Sequence, residues 1–141
     1  MTLKKRESIA SIMTSQPMSV NLTHSLGDAY DIMHENCIRH LPVVSGDHLI
    51  GILSKTDLER ISFAEKDENN KKVKMSFYDG FTIEQVMTKN VQALQIEDSV
   101  KDAAEMLSFG NFHAAPVLEG KKLVGIVTTT DVINYLLKQY L

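Results

Sequence analysis

Gly51-Ile52-Leu53-Ser54-Lys55-Thr56-Asp57 (GILSKTD) and Gly125-Ile126-Val127-Thr128-Thr129-Thr130-Asp131 (GIVTTTD) repeat one string: glycine, two apolar residues, hydroxyl, any residue, hydroxyl, aspartate. The surroundings repeat as well. A shift of 74 residues lays Ile12–Leu58 over Val86–Val132 without a gap, with 13 identities in 47 positions. Met13-Thr14 meets Met87-Thr88, Ser25-x-x-Asp28-Ala29 meets Ser99-x-x-Asp102-Ala103, and Leu41-Pro42-Val43 meets Ala115-Pro116-Val117. An ungapped match of this length marks an internal duplication.

Each copy follows one order of elements. A short extended piece (Met18–Leu22, Gln92–Ile96) leads into a helix opened by Ser25-x-x-Asp28 or Ser99-x-x-Asp102, which resemble capping boxes with aspartate in place of glutamate. Leu26, Ala29, Tyr30 and Met33, like Val100, Ala103, Ala104 and Leu107, recur at the i, i+3, i+4, i+7 spacing of one buried helical face. Two apolar runs follow, Leu41–Val44 with Leu49–Leu53 and Ala115–Leu118 with Leu123–Val127. Each pair is joined by a four-residue turn holding one glycine, which predicts a hairpin. A second helix is expected from near Thr56 and Thr130. The fold class is therefore α+β, with β-α-β-β-α written twice over residues 7–61 and 82–136.

The connection 62–81 breaks this pattern. Glu65–Lys74 (EKDENNKKVK) is polar, of mixed charge and without apolar period. It reads as a solvated linker. The sharper reading is a segment that orders on a partner through Phe77, Tyr78 and Phe81.

Composition narrows the function. The chain has 141 residues, 43% apolar and 23% charged, with a net charge of −3. No overall basic field recruits nucleic acid, and the basic run Lys4-Lys5-Arg6 reads as a solvated end. One cysteine, Cys37, excludes an internal disulfide and suits a reducing cytoplasm. No stretch approaches the ~18 apolar residues of a membrane helix, and no apolar signal core follows the first residues.

The repeated string has its own chemistry. Glycine inside a strand is weakening unless a backbone or a ligand comes close. Thr56-Asp57-Leu58-Glu59 reads as a helix start with a capping box, and Thr130-Asp131 begins the equivalent helix. Free N–H groups and hydroxyls there suit phosphate. Aspartate repels phosphate but accepts two hydrogen bonds from a vicinal diol such as ribose. That pairing fits a nucleotide, while ordinary capping accounts for Thr-Asp without any ligand. Capping tolerates Ser, Thr, Asp or Asn, yet both copies retain glycine, both hydroxyls and aspartate.

The paired pattern resembles tandem CBS domains, named after cystathionine β-synthase. The resemblance covers about Glu7–Ile61 and Thr82–Leu136 and rests on Met-Thr, on the apolar-Pro-Val strand and on the glycine-to-aspartate string. It implies two pseudo-twofold-related units with packed sheets and two clefts that take adenosyl compounds such as AMP, ADP, ATP, NAD or S-adenosylmethionine. By position, Asp57 and Asp131 would take the ribose hydroxyls, with Ser54, Thr56, Thr128 and Thr130 near ribose and phosphate. Thr14, Met18, Thr88 and Gln92 would edge the adenine. Ile38 and Ile52, and Phe112 and Ile126, would wall it, and Arg39 and His113 would approach phosphate. Arg39 and Lys55 against His113 and Thr129 predict unequal sites, the first preferring phosphate.

The resemblance also implies a homodimer and a regulatory role, not an enzyme. With no catalytic or transport domain in the chain, the output is expected to reach a protein target in trans. The rival is a ligand-free interaction or dimerisation scaffold. His34, Cys37 and His40 lie three apart, but the second copy has Ser108, Asn111 and Ala114 there, so no metal is expected. No metalloprotease helix, Walker loop or nucleophile elbow occurs. Met13, Met33, Met87 and Met106 read as packing.

Overall fold

The computed structural model describes residues 7–66, 73–77, 80–110 and 112–140. In chain order these hold a 3₁₀ turn (Ile9–Ser11), β1 (Thr14–Ser15), α1 (Leu26–Glu35), β2 (His40–Ser45), β3 (His48–Ser54), α2 (Lys55–Arg60), β4 (Ser62–Lys66), β5 (Val73–Phe77), α3 (Ile83–Val86), β6 (Leu94–Gln95), α4 (Val100–Phe109), β7 (Ala114–Glu119), β8 (Lys122–Thr128) and α5 (Thr129–Lys138). This is the expected α+β class. Among the described residues no helix is long and apolar enough to cross a membrane.

The chain forms two compact units, and they are not cut where the sequence repeats are. One comprises Met18–Gly46 and Ile50–Asn90; the other comprises the chain up to Pro17, Asp47–Leu49 and Val91–Leu141. Each unit thus takes its Met-Thr segment from the other repeat.

In the first unit, Val20 pairs in parallel with Val43, and Val44 N–H donates to the Val20 carbonyl at 2.8 Å. Ile52 pairs antiparallel with Thr88. The core is Leu26, Ala29 and Met33 from one face of α1, then Leu41, Val43, Leu53, Leu58, Ile83 and Met87. Burying side chains of this size contributes about 1.5–3 kcal/mol each before conformational entropy is counted.

The second unit repeats the plan in register. Leu94 pairs in parallel with Val117, and Thr14 pairs antiparallel with Ile126. β7 and β8 form the expected hairpin, Ala114 opposite Thr128, and Gly120 takes φ +64° at its turn. Gly46 takes the same φ in the first unit. Ile9, Leu94, Ala103, Ala115, Val117, Val127 and Val132 fill the second core. Met33 and Met87 are buried, and Met13 and Met106 pack against the second core, whereas Met18 is exposed.

Four hydroxyl-x-x-aspartate stretches cap four helices. The hydroxyls of Ser25, Ser54, Ser99 and Thr128 accept from the backbone N–H of Asp28, Asp57, Asp102 and Asp131 at 3.0–3.1 Å. The Ser25 and Ser99 N–H groups donate back to the Asp28 and Asp102 carboxylates, both at 2.9 Å. Those backbone donors first, and the serine hydroxyls second, hold both carboxyls below the ordinary aspartate range. A carboxyl with its folded pKa below its unfolded one stabilises at pH above the ordinary carboxylate value, and that stability goes as pH falls through the folded value. The variant Asp28→Asn/Asp102→Asn is therefore expected to lose less urea resistance than the unaltered protein between pH ~6 and pH ~3. An equal loss in both would remove these carboxylates from the acid response.

The capping corrects one expectation. The second helices start at Lys55 and Thr129 and are capped by Ser54 and Thr128, not by Thr56 and Thr130. The hydroxyl three residues before each aspartate fits a capping geometry that the chain already uses at Ser25 and Ser99.

The connection also differs from a featureless linker. β4 and β5 form an antiparallel ladder from Ser62↔Phe77 to Lys66↔Val73. Their polar residues hid them from a search for apolar runs. Residues 67–72 and Tyr78 lie outside the described residues, and Phe81 is half exposed.

Candidate functional site

The glycines of the two strings make room for backbone. A Cβ on Gly51 would meet the Met87 side chain and stand 3.1 Å from the Thr88 carbonyl; on Gly125 it would meet Met13 and stand 3.1 Å from the Thr14 carbonyl. Thr88 and Ile52 exchange backbone hydrogen bonds at 2.9 and 3.1 Å beside Gly51. Met-Thr and Gly-Ile are therefore two halves of one contact, which explains why both are duplicated.

This contact redistributes the expected site residues. In the first unit, Thr88 lies on Ile52, in the same unit as Met18, Ile38, Arg39, Ser54, Thr56 and Asp57. In the second, Thr14 lies on Ile126, in the same unit as Gln92, Phe112, His113, Thr128, Thr130 and Asp131. The two threonines have exchanged strings relative to their sequence repeats. Ile38 and Ile52 are half-buried, Phe112 is half-buried, and Ile126 is buried; Arg39, His113, Thr56 and Thr130 are exposed.

Backbone bonds fix the residues before the Pro-Val strand against the strings. Lys55 N–H donates to the Arg39 carbonyl at 2.8 Å, and Thr129 N–H to the His113 carbonyl at 2.9 Å. Arg39 and His113 thus stand at the starts of α2 and α5. The two copies then diverge. Lys55 Nζ sits 5.8 Å from the centre of the Tyr30 ring, a cation–π contact, and Tyr30 stacks on His34 at 5.9 Å. The Thr129 hydroxyl instead donates to the His113 carbonyl at 3.3 Å.

The two aspartates differ most. Asp131 closes a reciprocal capping box, its Oδ2 accepting from Thr128 N–H at 2.8 Å. One carboxylate oxygen is fixed; among the described residues no donor takes the other, which can accept from a diol. Asp57 makes no return bond to Ser54; its Oδ1 accepts from Arg60 Nη1 at 3.4 Å. The Ser54 and Thr128 hydroxyls accept in their caps and retain their own protons to donate. α5 has ten residues and presents a full N-terminal turn, whereas α2 has six and little macrodipole to offer.

A groove of about 390 Å³ opens beside Asp131, the one expected ligand residue in its lining. Asn134, Tyr135 and Lys138 line it from the same α5 face, with Glu7 and Ile12. Neither this face nor Arg60 belongs to the repeated string, but residues three, four and seven after an aspartate share its side of a helix, and that spacing is readable in the sequence. His34 is engaged with Tyr30, and Cys37 is exposed with φ +54°. Among the described residues no three His, Cys, Asp or Glu side chains cluster to hold a metal ion.

A family model described as the CBS domain matches residues 9–63 and 83–138. A homoserine O-acetyltransferase of Methanohalobium evestigatum is 29% identical over 126 residues, 88% of this chain and 23% of that protein. The chain spans about a quarter of the length of the first curated relatives it matches. Among solved structures, the CBS domain pair of protein MJ0100, in complex with 5′-methylthioadenosine and S-adenosyl-L-methionine, is 26% identical with a TM-score of 0.73, covering 92% of this chain and 98% of that one. CBSX2 in complex with AMP superposes with a TM-score of 0.78 over 96% of this chain and 99% of that one; at 24% identity it speaks for the fold alone.

Proposed function

Since the chain belongs to the CBS-domain family, we propose that it is a regulatory module that binds adenosyl compounds through the GILSKTD and GIVTTTD strings and passes their occupancy to a protein target in trans. The observation that carries this reading is Asp131: one carboxylate oxygen is fixed at 2.8 Å by the Thr128 N–H, and among the described residues no donor takes the other. The 26%-identical pair crystallised with two adenosyl compounds supports the ligand class.

Asp57 and Asp131 take ribose hydroxyls in this reading. Ser54, Thr56, Thr128 and Thr130 donate to ribose or phosphate, and Arg39 and His113 stand near phosphate. Thr14, Met18, Thr88 and Gln92 edge the adenine, with Ile38, Ile52, Phe112 and Ile126 as apolar walls. AMP, ADP, ATP, NAD and S-adenosylmethionine are the candidates. Occupancy acts by population shift, each ligand favouring the arrangement it binds better. The repeats 7–61 and 82–136 are the units of duplication, joined by 62–81. We assign the stretch shared with the acetyltransferases to their CBS region and no catalysis to this chain, and we place the protein in the cytoplasm.

A second reading has its own observation. Ile133, Leu136, Leu137 and Tyr140 are exposed at helical spacing along α5 and its end, and Phe109 is exposed at the end of α4. Such a stripe suits a homodimer, and a scaffold would need nothing more. Thermal unfolding with millimolar AMP, ADP, ATP, NAD and S-adenosylmethionine separates the readings. A ligand at about 100 times its Kd adds about 2.7 kcal/mol, so a rise of several degrees is expected with at least one. No rise with any favours the scaffold.

A further inference from the structure

We propose that Arg60 sets the ligand preference of the Asp57 site, and that Asn134 is its uncharged counterpart at Asp131. The proposal rests on the adenosyl reading above and deepens it to a choice between phosphorylated and phosphate-free ligands.

The duplication supplies an internal control, because residues 60 and 134 are 74 apart and each stands one helical turn after its aspartate. At the first, Arg60 Nη1 donates to Asp57 Oδ1 at 3.4 Å. At the second, Asn134 carries no charge and lines the open groove with Asp131; the groove's other charged groups, Glu7 and Lys138, are of opposite sign. A ribose diol needs the lone pairs that Arg60 now shares. A ligand without phosphate must compete with the guanidinium and offers it nothing in return. A ligand with phosphate gives the guanidinium a second acceptor, one that its planar fork can grip with two hydrogen bonds. Release from Asp57 is easy, because the Arg60 side chain is 74% exposed and surface pairs of this kind are weak. Arg60 also offsets part of the Asp57 charge that would repel phosphate. Two further aligned positions change in the same direction, Arg39 to His113 and Lys55 to Thr129.

The test compares AMP with 5′-methylthioadenosine, which share the adenosine diol and differ in phosphate. Calorimetric titration is run on Arg60→Asn and Arg60→Lys in an Asp131→Ala background, and on Asn134→Arg in an Asp57→Ala background. Arg60 and Asn134 are both exposed, so folding is expected to survive each exchange. Arg60→Asn is expected to reduce the AMP preference of the Asp57 site about tenfold, with methylthioadenosine binding tighter in absolute terms; Arg60→Lys falls between; Asn134→Arg moves the Asp131 site about tenfold toward AMP. A merely structural role for Arg60 would shift the melting temperature and leave the ratio alone. Ratios unchanged within about twofold overturn the assignment while the function stands. If neither compound binds the unaltered protein, the function proposed above falls, and the assignment with it.

Discussion

Gly51→Val is expected to destabilise the protein by about 3 kcal/mol, a fall of roughly 10 °C in melting temperature. The new side chain would start 3.1 Å from the Thr88 carbonyl oxygen and inside the Met87 side chain. Neither neighbour is free to give way. The Thr88 carbonyl accepts from Ile52 N–H, and Met87 is part of the first core. Relief therefore costs a ladder hydrogen bond or a core contact. Gly125→Val meets Thr14 and Met13 in the same way and should cost a similar amount. Gly27→Ala is the contrasting control. Its Cβ would meet only the Ser25 hydroxyl at 3.7 Å, inside the first turn of α1, and a gain of about 0.5–1 kcal/mol is expected. Denaturant unfolding of the three variants checks the set; a Gly51→Val protein as stable as the parent would show that the close backbone approach is absent.

Asp57→Ala and Asp131→Ala are each expected to weaken adenosyl binding at their own site about 10–100-fold, or about 1.4–2.7 kcal/mol, the scale of hydrogen bonds to a charged acceptor. Their structural effects should differ. Asp131→Ala also removes the acceptor for Thr128 N–H and loosens the start of α5, while Asp57 has no such bond to lose. Asp131→Asn keeps an oxygen acceptor in that capping position and removes the charge, so it separates the cap from the diol. Calorimetry with AMP is expected to show that Asp57→Ala removes the phosphate-preferring site. Equal residual AMP binding by both alanine variants would contradict unequal sites.

The duplication was legible because it is written in identities, and the hairpins and first helices because their apolar periods are regular. The function of the glycines was half legible. Period and spacing said that something approaches Gly51 and Gly125 closely, but not that it is Met-Thr of the other repeat, because strand pairing at long sequence separation leaves no local mark. The same blindness affects the site: Thr14 and Thr88 carry identical motifs in both repeats, and only pairing reveals that they exchange strings. The cap of the second helix was misplaced by two residues because Ser54-x-x-Asp57 and Thr56-x-x-Glu59 overlap, and sequence alone does not choose between two neighbouring caps. Arg60 was overlooked because it sits outside the repeated string. Its importance comes from what it touches, one turn along the helix from Asp57.

The central claim is that the two aspartates hold an adenosyl ligand, beyond any capping they do. Calorimetric titration of AMP and of 5′-methylthioadenosine into the unaltered protein and into Asp57→Ala/Asp131→Ala tests it most directly, with far-UV circular dichroism confirming that the double variant is folded. Saturable binding by the unaltered protein and none by the folded double variant is the result expected. Binding of equal strength in both, or no binding of either compound to the unaltered protein, would contradict it.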